Sequence, residues 1–225
     1  MTQASVATIE LAAACKGREF DEEVDRRLDF LSRPSVHLSY DWQCKLFPPE
    51  FPLDELGPRG HRFASRYVMR KLDLGRFNYG ELENHPSRDV LILPPSQLSM
   101  LVNGIGVVIV GDPVRRCVSK ADVDYYRSAL GEQVYRFAIS VAPLLIQDVE
   151  RPMIPMQREA LIDEAYAYGY SILQRACEHP SDEGWRRLCI KLPSCPEHEP
   201  FIPRSLSDPA AALRLALRVL TELRT

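Results

Sequence analysis

The chain has 225 residues, 45% of them hydrophobic, and 28 lysines and arginines against 31 aspartates and glutamates give a formal net charge of -3. That length and apolar content suffice for one large domain or two small ones with a sizeable core. So small a net charge supplies no long-range field to gather nucleic acid or anionic lipid, which argues against a general nucleic-acid binder. No apolar run reaches the roughly 20 residues that span a bilayer. The opening MTQASVATIELAAACKGREF has no basic segment ahead of its modest apolar stretch, so a cytoplasmic protein is expected. Cys15, Cys44, Cys117, Cys177, Cys189 and Cys195 are scattered without a framework spacing and read as reduced thiols.

Residues 1–33 read as an N-terminal helix: Val24, Leu28 and Leu31 recur at i, i+4 and i+7, and Pro34 stops the pattern. Residues 34–60 carry Pro34, Pro48, Pro49, Pro52 and Pro58 among Trp42, Phe47 and Phe51. Prolines at that density interrupt regular hydrogen bonding, so an irregular arm able to pack through its aromatics is expected. From His61 a helical pattern resumes to Leu74, with Phe63 and Tyr67 on the apolar side and the other side basic; a Gly- and Asn-containing loop follows to about residue 88.

Ser119 with Asp122 resembles a capping box. After it, Val123, Tyr126, Leu130, Val134, Phe137 and Val141 fall on one helical face. Gly131 makes this either one helix with a weak point or two helices sharing a core, and Pro143 kinks or ends it. Past the proline-punctuated 150–155, Gln157 to His179 is a helix with Leu161, Ala165, Tyr168, Ile172 and Ala176 as its stripe, closed by Pro180. The last helix starts from the N-cap Asp208 with Pro209 first, and carries Leu213, Leu217, Leu220 and Leu223 with Arg214, Arg218 and Arg224 outside. The fold class is mostly α: a single compact multi-helix domain over 1–225, its helical core at 61–225 and an irregular proline-rich arm near its N-terminus.

Residues 101–116, LVNGIGVVIVGDPVRR, invite a phosphate-loop reading, because Gly106 and Gly111 have the glycine spacing of one. That loop needs a lysine and a hydroxyl next, to meet the β and γ phosphates and magnesium. Asp112 and Pro113 stand there instead, a repelling carboxylate and a residue without a backbone donor. A dinucleotide fingerprint also fails, since Ile109 occupies the third glycine position and the apolar run follows the glycines. Cys177, His179, Cys189, Cys195 and His198 are zinc-ligand types, but they contain no Cys-x-x-Cys pair. There is no G-x-S-x-G elbow, and His37, His61, His85, His179 and His198, in loops or at helix ends, read as solvated surface groups. The remaining segment, EGWRRLCIKLP, places Arg186, Arg187 and Lys191 beside Trp185. It reads either as a surface strip with Trp185 and Leu188 tucked into the core or as a patch for a partner.

An ordered set of positions resembles the SctK family of type III secretion proteins. It consists of Gly106, Gly111, Val114, Arg115, Leu130, Gly131, Tyr135, Phe137, Ala138, Ala142, Pro143, Leu144 and Leu145, then Gly169, Leu173, Arg187 and Ile190-Lys191-Leu192-Pro193. The last run is similar to the family's Arg-x-x-Leu-Lys-Leu-Pro, with Ile190 as a departure, and the resemblance covers roughly residues 90 to 195. It implies a non-enzymatic adaptor in the cytoplasmic sorting platform, at the inner face of the membrane when assembled. There it would join the cytosolic domain of the ring protein SctD to the pod protein SctQ, and through it SctL and the ATPase SctN, with no cofactor. The candidate partner surfaces are then Trp185, Arg186, Arg187, Leu188 and Lys191, with Trp42 and Phe47 of the arm. The alternative is a small-molecule- or zinc-binding helical enzyme. Propensity at Val107 to Val110 favours a strand, whereas the resemblance and the helical surroundings favour a buried helix ending at Gly111. The helix is the expectation, with Gly104 and Gly106 admitting a close neighbour.

Overall fold

A computed structural model describes residues 22–145, 157–177, 183–196 and 200–224, and every regular element among them is helical. In chain order these are α1 (Glu22–Ser32), α2 (Tyr40–Leu46), α3 (Pro58–Lys71), α4 (Tyr79–Glu83), α5 (Arg88–Leu91), α6 (Pro95–Val110), α7 (Asp112–Arg116), α8 (Lys120–Leu130), α9 (Glu132–Ser140), α10 (Ala142–Leu145), α11 (Arg158–Cys177), α12 (Glu183–Cys189) and α13 (Pro209–Arg224). Short 3-10 turns lie at Pro34–His37, Leu53–Glu55 and Arg204–Leu206.

The valine-rich run is helical. α6 buries Leu98, Leu101, Val102 and every residue from Gly104 to Val110, and a helix apolar all round needs neighbours all round. Those neighbours are chiefly α11, α13 and α9. At the crossing with α11 the two backbones touch. A Cβ on Gly106 would overlap the Ala165 carbonyl and lie 2.8 Å from the Ala165 Cα, and one on Gly169 would lie 2.7 Å from the Val102 carbonyl carbon. The two contacts run in opposite directions along the chains, so α6 and α11 pack antiparallel, glycine against backbone on both sides. Gly104 faces elsewhere, toward Leu223 and Val219 of α13. The chain leaves α6 at Gly111, whose N–H donates to the Val107 carbonyl at 3.0 Å, and Asp112 pairs with Arg115 one turn on.

Gly131 separates α8 from α9 as two helices; its φ of +82° is a conformation that side-chain-bearing residues rarely adopt. Tyr126, Leu130, Val134 and Phe137 still share one buried face, with Val123 and Val141 packed against it. α9 ends at Ser140, and Pro143 is the second residue of the short α10 that follows. The stripe expected on α11 is buried at all five positions.

Several expectations are corrected. On α1, Val24 and Leu28 are exposed and Phe30 is the buried residue, its ring 5.9 Å from Phe77; residues 1–21 lie outside the described residues. Segment 34–60 is not irregular throughout: α2 forms inside it, and α3 starts at Pro58, a favoured first helical position. α3 buries Ala64, Ser65 and Val68 and leaves Phe63 and Tyr67 exposed. The reason is steric, because the Pro34–His37 turn sits so close that the Ser35 hydroxyl meets the Ser65 hydroxyl at 2.7 Å and donates to the His61 carbonyl at 3.0 Å. Ser119 caps no helix through its side chain, whereas Asn78 and Glu81 form a reciprocal capping box that starts α4 within the expected loop. α13 follows the N-cap Asp208, whose carboxylate accepts from the Ala211 N–H at 3.0 Å. Its buried stripe is Ala212, Leu215, Ala216, Val219, Leu220 and Leu223, which includes the expected Leu220 and Leu223, while Leu213 and Leu217 are partly buried at its edge.

Candidate functional site

Two hydrophobic clusters organise the described residues. The larger surrounds α6; the smaller joins Leu38, Leu46, Leu53, Ala64, Val68, Leu74 and Ile190. α12 and the residues after it run along the seam, so that Leu188 and Leu192 enter the large cluster and Ile190 the small one.

On α12, Glu183 stands one turn before Arg187, and its carboxylate accepts from Nε at 3.1 Å. The rest of the guanidinium is spent on backbone. Nη1 donates to the carbonyls of Phe30 and Leu31 at 3.0 Å each, and Nη2 to the Gly75 carbonyl at 2.8 Å. Arg187 therefore ties the end of α1 and the loop after α3 to α12. Four residues further, Lys191 Nζ donates to the Leu91 and Leu93 carbonyls at 2.7 and 3.0 Å and lies 4.8 Å from the Phe30 ring centroid. These bonds reach the carbonyl of Leu91, the last residue of α5, and that of Leu93 just past it, where a helix end leaves carbonyls without intrahelical partners. Burial pushes the Lys191 ammonium down to about 7, while the Asp29 carboxylate pulls it upward. His37, whose imidazole is 3.9 Å from Asp29, is pushed down to about 4 by burial and by the positive charges of Lys191 and Arg33.

The arm clasps the same segment from its other side. The Ser39 N–H donates to the Ile190 carbonyl at 2.9 Å and Trp42 Nε1 to the Cys189 carbonyl at 3.2 Å. Asp41 accepts from the Ser194 N–H at 2.8 Å, which holds its carboxyl below the usual range, and Lys45 reaches the Ser194 hydroxyl.

Trp185 and Leu188 of EGWRRLCIKLP are tucked into the core, as one of its two readings had it, but Arg187 and Lys191 do not lie on the surface. Arg187 and Lys191 are 1% and 3% exposed, Leu188 is fully buried, and Trp185 packs edge-on against Tyr170. Arg186 stays partly exposed and donates to the Leu72 carbonyl at 2.7 Å. Two cations fit inside because distant carbonyls, and for Arg187 also the Glu183 carboxylate, receive these bonds, and charge-assisted bonds offset much of the burial cost. Trp42 is half-buried in the seam, and Phe47 stacks on Phe51 at the surface. The other family-type positions serve packing: Gly106, Gly111, Leu130, Tyr135, Phe137, Ala142 and Leu192 are buried, Gly131 makes its turn in the open, Pro143 is half-buried and Pro193 is exposed.

Of the zinc-ligand types, His179 and His198 lie outside the described residues. The Cys177 thiol is pushed up to about 12 by burial, the wrong direction for a thiolate ligand, and among the described residues no three His, Cys, Asp or Glu gather as a metal site. His85 is buried, contrary to the solvated reading, and accepts from the Ser87 N–H at 3.1 Å through Nδ1. Sequence reasoning missed the backbone acceptors at Phe30, Leu31, Gly75, Leu91 and Leu93, since a carbonyl leaves no trace in residue identity.

The family model for YOP proteins translocation protein K (YscK) matches residues 34–222. The chain belongs to the YscK family. Yop proteins translocation protein K of Yersinia enterocolitica is 24% identical to it over 135 residues, covering 57% of this chain and 62% of that relative. Its namesake in Yersinia pseudotuberculosis serotype I matches with the same identity and coverage. The alignment thus spans less than two thirds of the length of these curated relatives. No solved structure matches the chain. The resemblance drawn from the glycine and Ile-Lys-Leu-Pro positions is borne out, and the YscK match reaches back through the arm, where no pattern was placed. Within this family member the Arg187 and Lys191 motif is a clamp that holds arm, α1 and helical core together. No helix among the described residues is long and apolar enough to cross a membrane.

Proposed function

We propose that this chain is a non-enzymatic adaptor of the type III secretion sorting platform. It links the cytosolic domain of SctD to SctQ, and through SctQ to SctL and the ATPase SctN, at the cytoplasmic face of the inner membrane. The observation that carries the reading is the YscK family match across residues 34–222, in a family whose described members are named for Yop protein translocation. The geometry supports it. The most perturbed cations are consumed as structural donors, and of the glycines of the phosphate-like stretch Gly106 is consumed in a helix crossing and Gly111 in ending α6. A clamp of this kind ties arm, α1 and helical core to one another, which suits a chain that must hold two partners in a fixed relation.

Co-purification tests it. The full chain is expected to pull down the SctD cytosolic domain and SctQ, and its deletion is expected to break their association and stop secretion. Secretion and association that persist without it would refute the adaptor. A thermal-shift panel of nucleotides and zinc addresses the enzyme alternative, because a ligand at 100 times its dissociation constant stabilises by about 2.7 kcal/mol. A shift of that size would favour a ligand-binding enzyme instead.

A further inference from the structure

The outer face of α3 is not used by the core. Opposite the buried Ala64, Ser65 and Val68 lie Arg59, Arg62, Phe63, Arg66, Tyr67 and Arg70, all exposed. The four arginines recur at spacings of three and four, so they form one row along the helix, with Phe63 and Tyr67 as a parallel row beside it. With Lys71 the helix carries five cations and no acid from Pro58 to Leu72, in a chain whose net charge is -3. None of the five forms an ion pair among the described residues. Like charges this close repel, so the row is held at some cost to the helix. The aromatic row continues off the helix, since Phe47 lies 5.4 Å from Tyr67 and 4.7 Å from Phe51. Phe63 is 68% exposed.

We infer that this face docks an acidic amphipathic helix of a protein partner, its carboxylates pairing with Arg59, Arg62, Arg66 and Arg70 and its apolar side chains lying on Phe63, Tyr67 and Phe51. Charge complementarity carries the assignment. Arginine forks match carboxylates in two-point geometry, and arginine with exposed aromatics is the composition of protein interfaces, where lysine is depleted. Size agrees as well: Arg59 to Arg70 spans about 17 Å, some three turns of a partner helix. In the chain the row is flanked by exposed acids, Glu50, Asp54 and Glu55 before it and Asp73 after it, so the positive charge is confined to a short stretch. The inference rests on the adaptor reading for its purpose but not for its geometry.

The test uses the full chain and a labelled synthetic helix of about 18 residues, with glutamates on one face and leucines beside them, followed by fluorescence anisotropy. Wild-type protein is expected to bind it. Arg62→Glu with Arg66→Glu should weaken binding by about 30-fold or more and Phe63→Ala by about tenfold. Arg214→Glu with Arg218→Glu, on the exposed side of α13, should leave it within about threefold. All these side chains are solvent-facing, so unchanged melting temperatures will show the variants fold. Failure to bind the helix would overturn the proposal. So would equal binding of a leucine-free glutamate peptide, of single-stranded DNA or of phosphatidylserine vesicles, or an equal effect of the α13 variants. Secretion distinguishes this surface from the adaptor reading: absent peptide binding with secretion still dependent on the chain refutes the surface alone, and peptide binding with secretion independent of the chain refutes the adaptor alone.

Discussion

Gly106→Ala adds one methyl group at the place where two helix backbones meet. Its Cβ would lie 2.8 Å from the Ala165 Cα and overlap the carbonyl oxygen of the same residue, whereas carbon atoms pack at about 3.5–4.0 Å. Neither obstruction is a side chain that can swing away, so α6 and α11 must part by about 1 Å at the crossing. A gap of that order forfeits a quarter to a half of the dispersion energy of the atoms facing it, and those atoms belong to the most extensive helix pair in the fold. Overpacking costs about 1–3 kcal/mol, here toward the upper end; better helix propensity returns about 1 kcal/mol. The expected net loss is about 2 kcal/mol, or roughly 4–8 °C in Tm for a chain of this size, read by urea titration and thermal melts followed by far-UV circular dichroism. Gly104→Ala is the comparison. Its Cβ meets only the side-chain ends of Leu223 and Val219, at 2.9 Å, and should be close to neutral. If Gly106→Ala proves as stable as Gly104→Ala, the backbone-contact reasoning is wrong.

Arg187→Ala strands the Phe30, Leu31 and Gly75 carbonyls and a half-enclosed Glu183, so a loss of about 3–5 kcal/mol or a collapse of soluble yield is expected; wild-type stability in urea would show that the clamp does not bear on the fold. Lys191 gives a pH dependence of definite sign. Its folded value of about 7 lies below the roughly 10.4 of an unfolded lysine, so between those limits the unfolded chain binds the extra proton and stability rises with pH, by up to about 1.4 kcal/mol per pH unit. Lys191→Met should flatten that rise, and identical slopes in parallel urea titrations from pH 7 to pH 10 would contradict the assignment. Gly131→Ala meets no atom within 4 Å but inherits a φ of +82° with a ψ of 149°, a region essentially reserved to glycine, so about 1–3 kcal/mol should be lost to backbone strain alone, and Gly131→Asn should be no milder in the same melts.

Much of the helical plan was written locally. The five-residue stripe of α11, the N-cap Asp208 with Pro209, and the break at Gly131 all follow from neighbours a few residues apart, and the order of glycine, proline and Ile-Lys-Leu-Pro positions sufficed to point to the family. Faces were read less well where small residues compete with large ones. On α3, periodicity alone puts Phe63 and Tyr67 inward, but Ala64, Ser65 and Val68 permit the Pro34–His37 turn to approach, and close approach turned the aromatics outward. The form of α6 was likewise undecided by its own residues. Val107 to Val110 suit a strand, yet no strand partner lies beside them among the described residues, and a helix satisfies its own backbone within an apolar surround.

The fate of Arg187 and Lys191 was decided wholly by tertiary structure. As residues they are cations, and cations belong in water unless partnered. Their partners are main-chain carbonyls of Phe30, Leu31, Gly75, Leu91 and Leu93, about 100 residues or more away in the chain. Every residue carries such a carbonyl, so the sequence by itself determined that a basic, apolar motif exists, and only the folded arrangement determined which carbonyls were left without partners for it to hold.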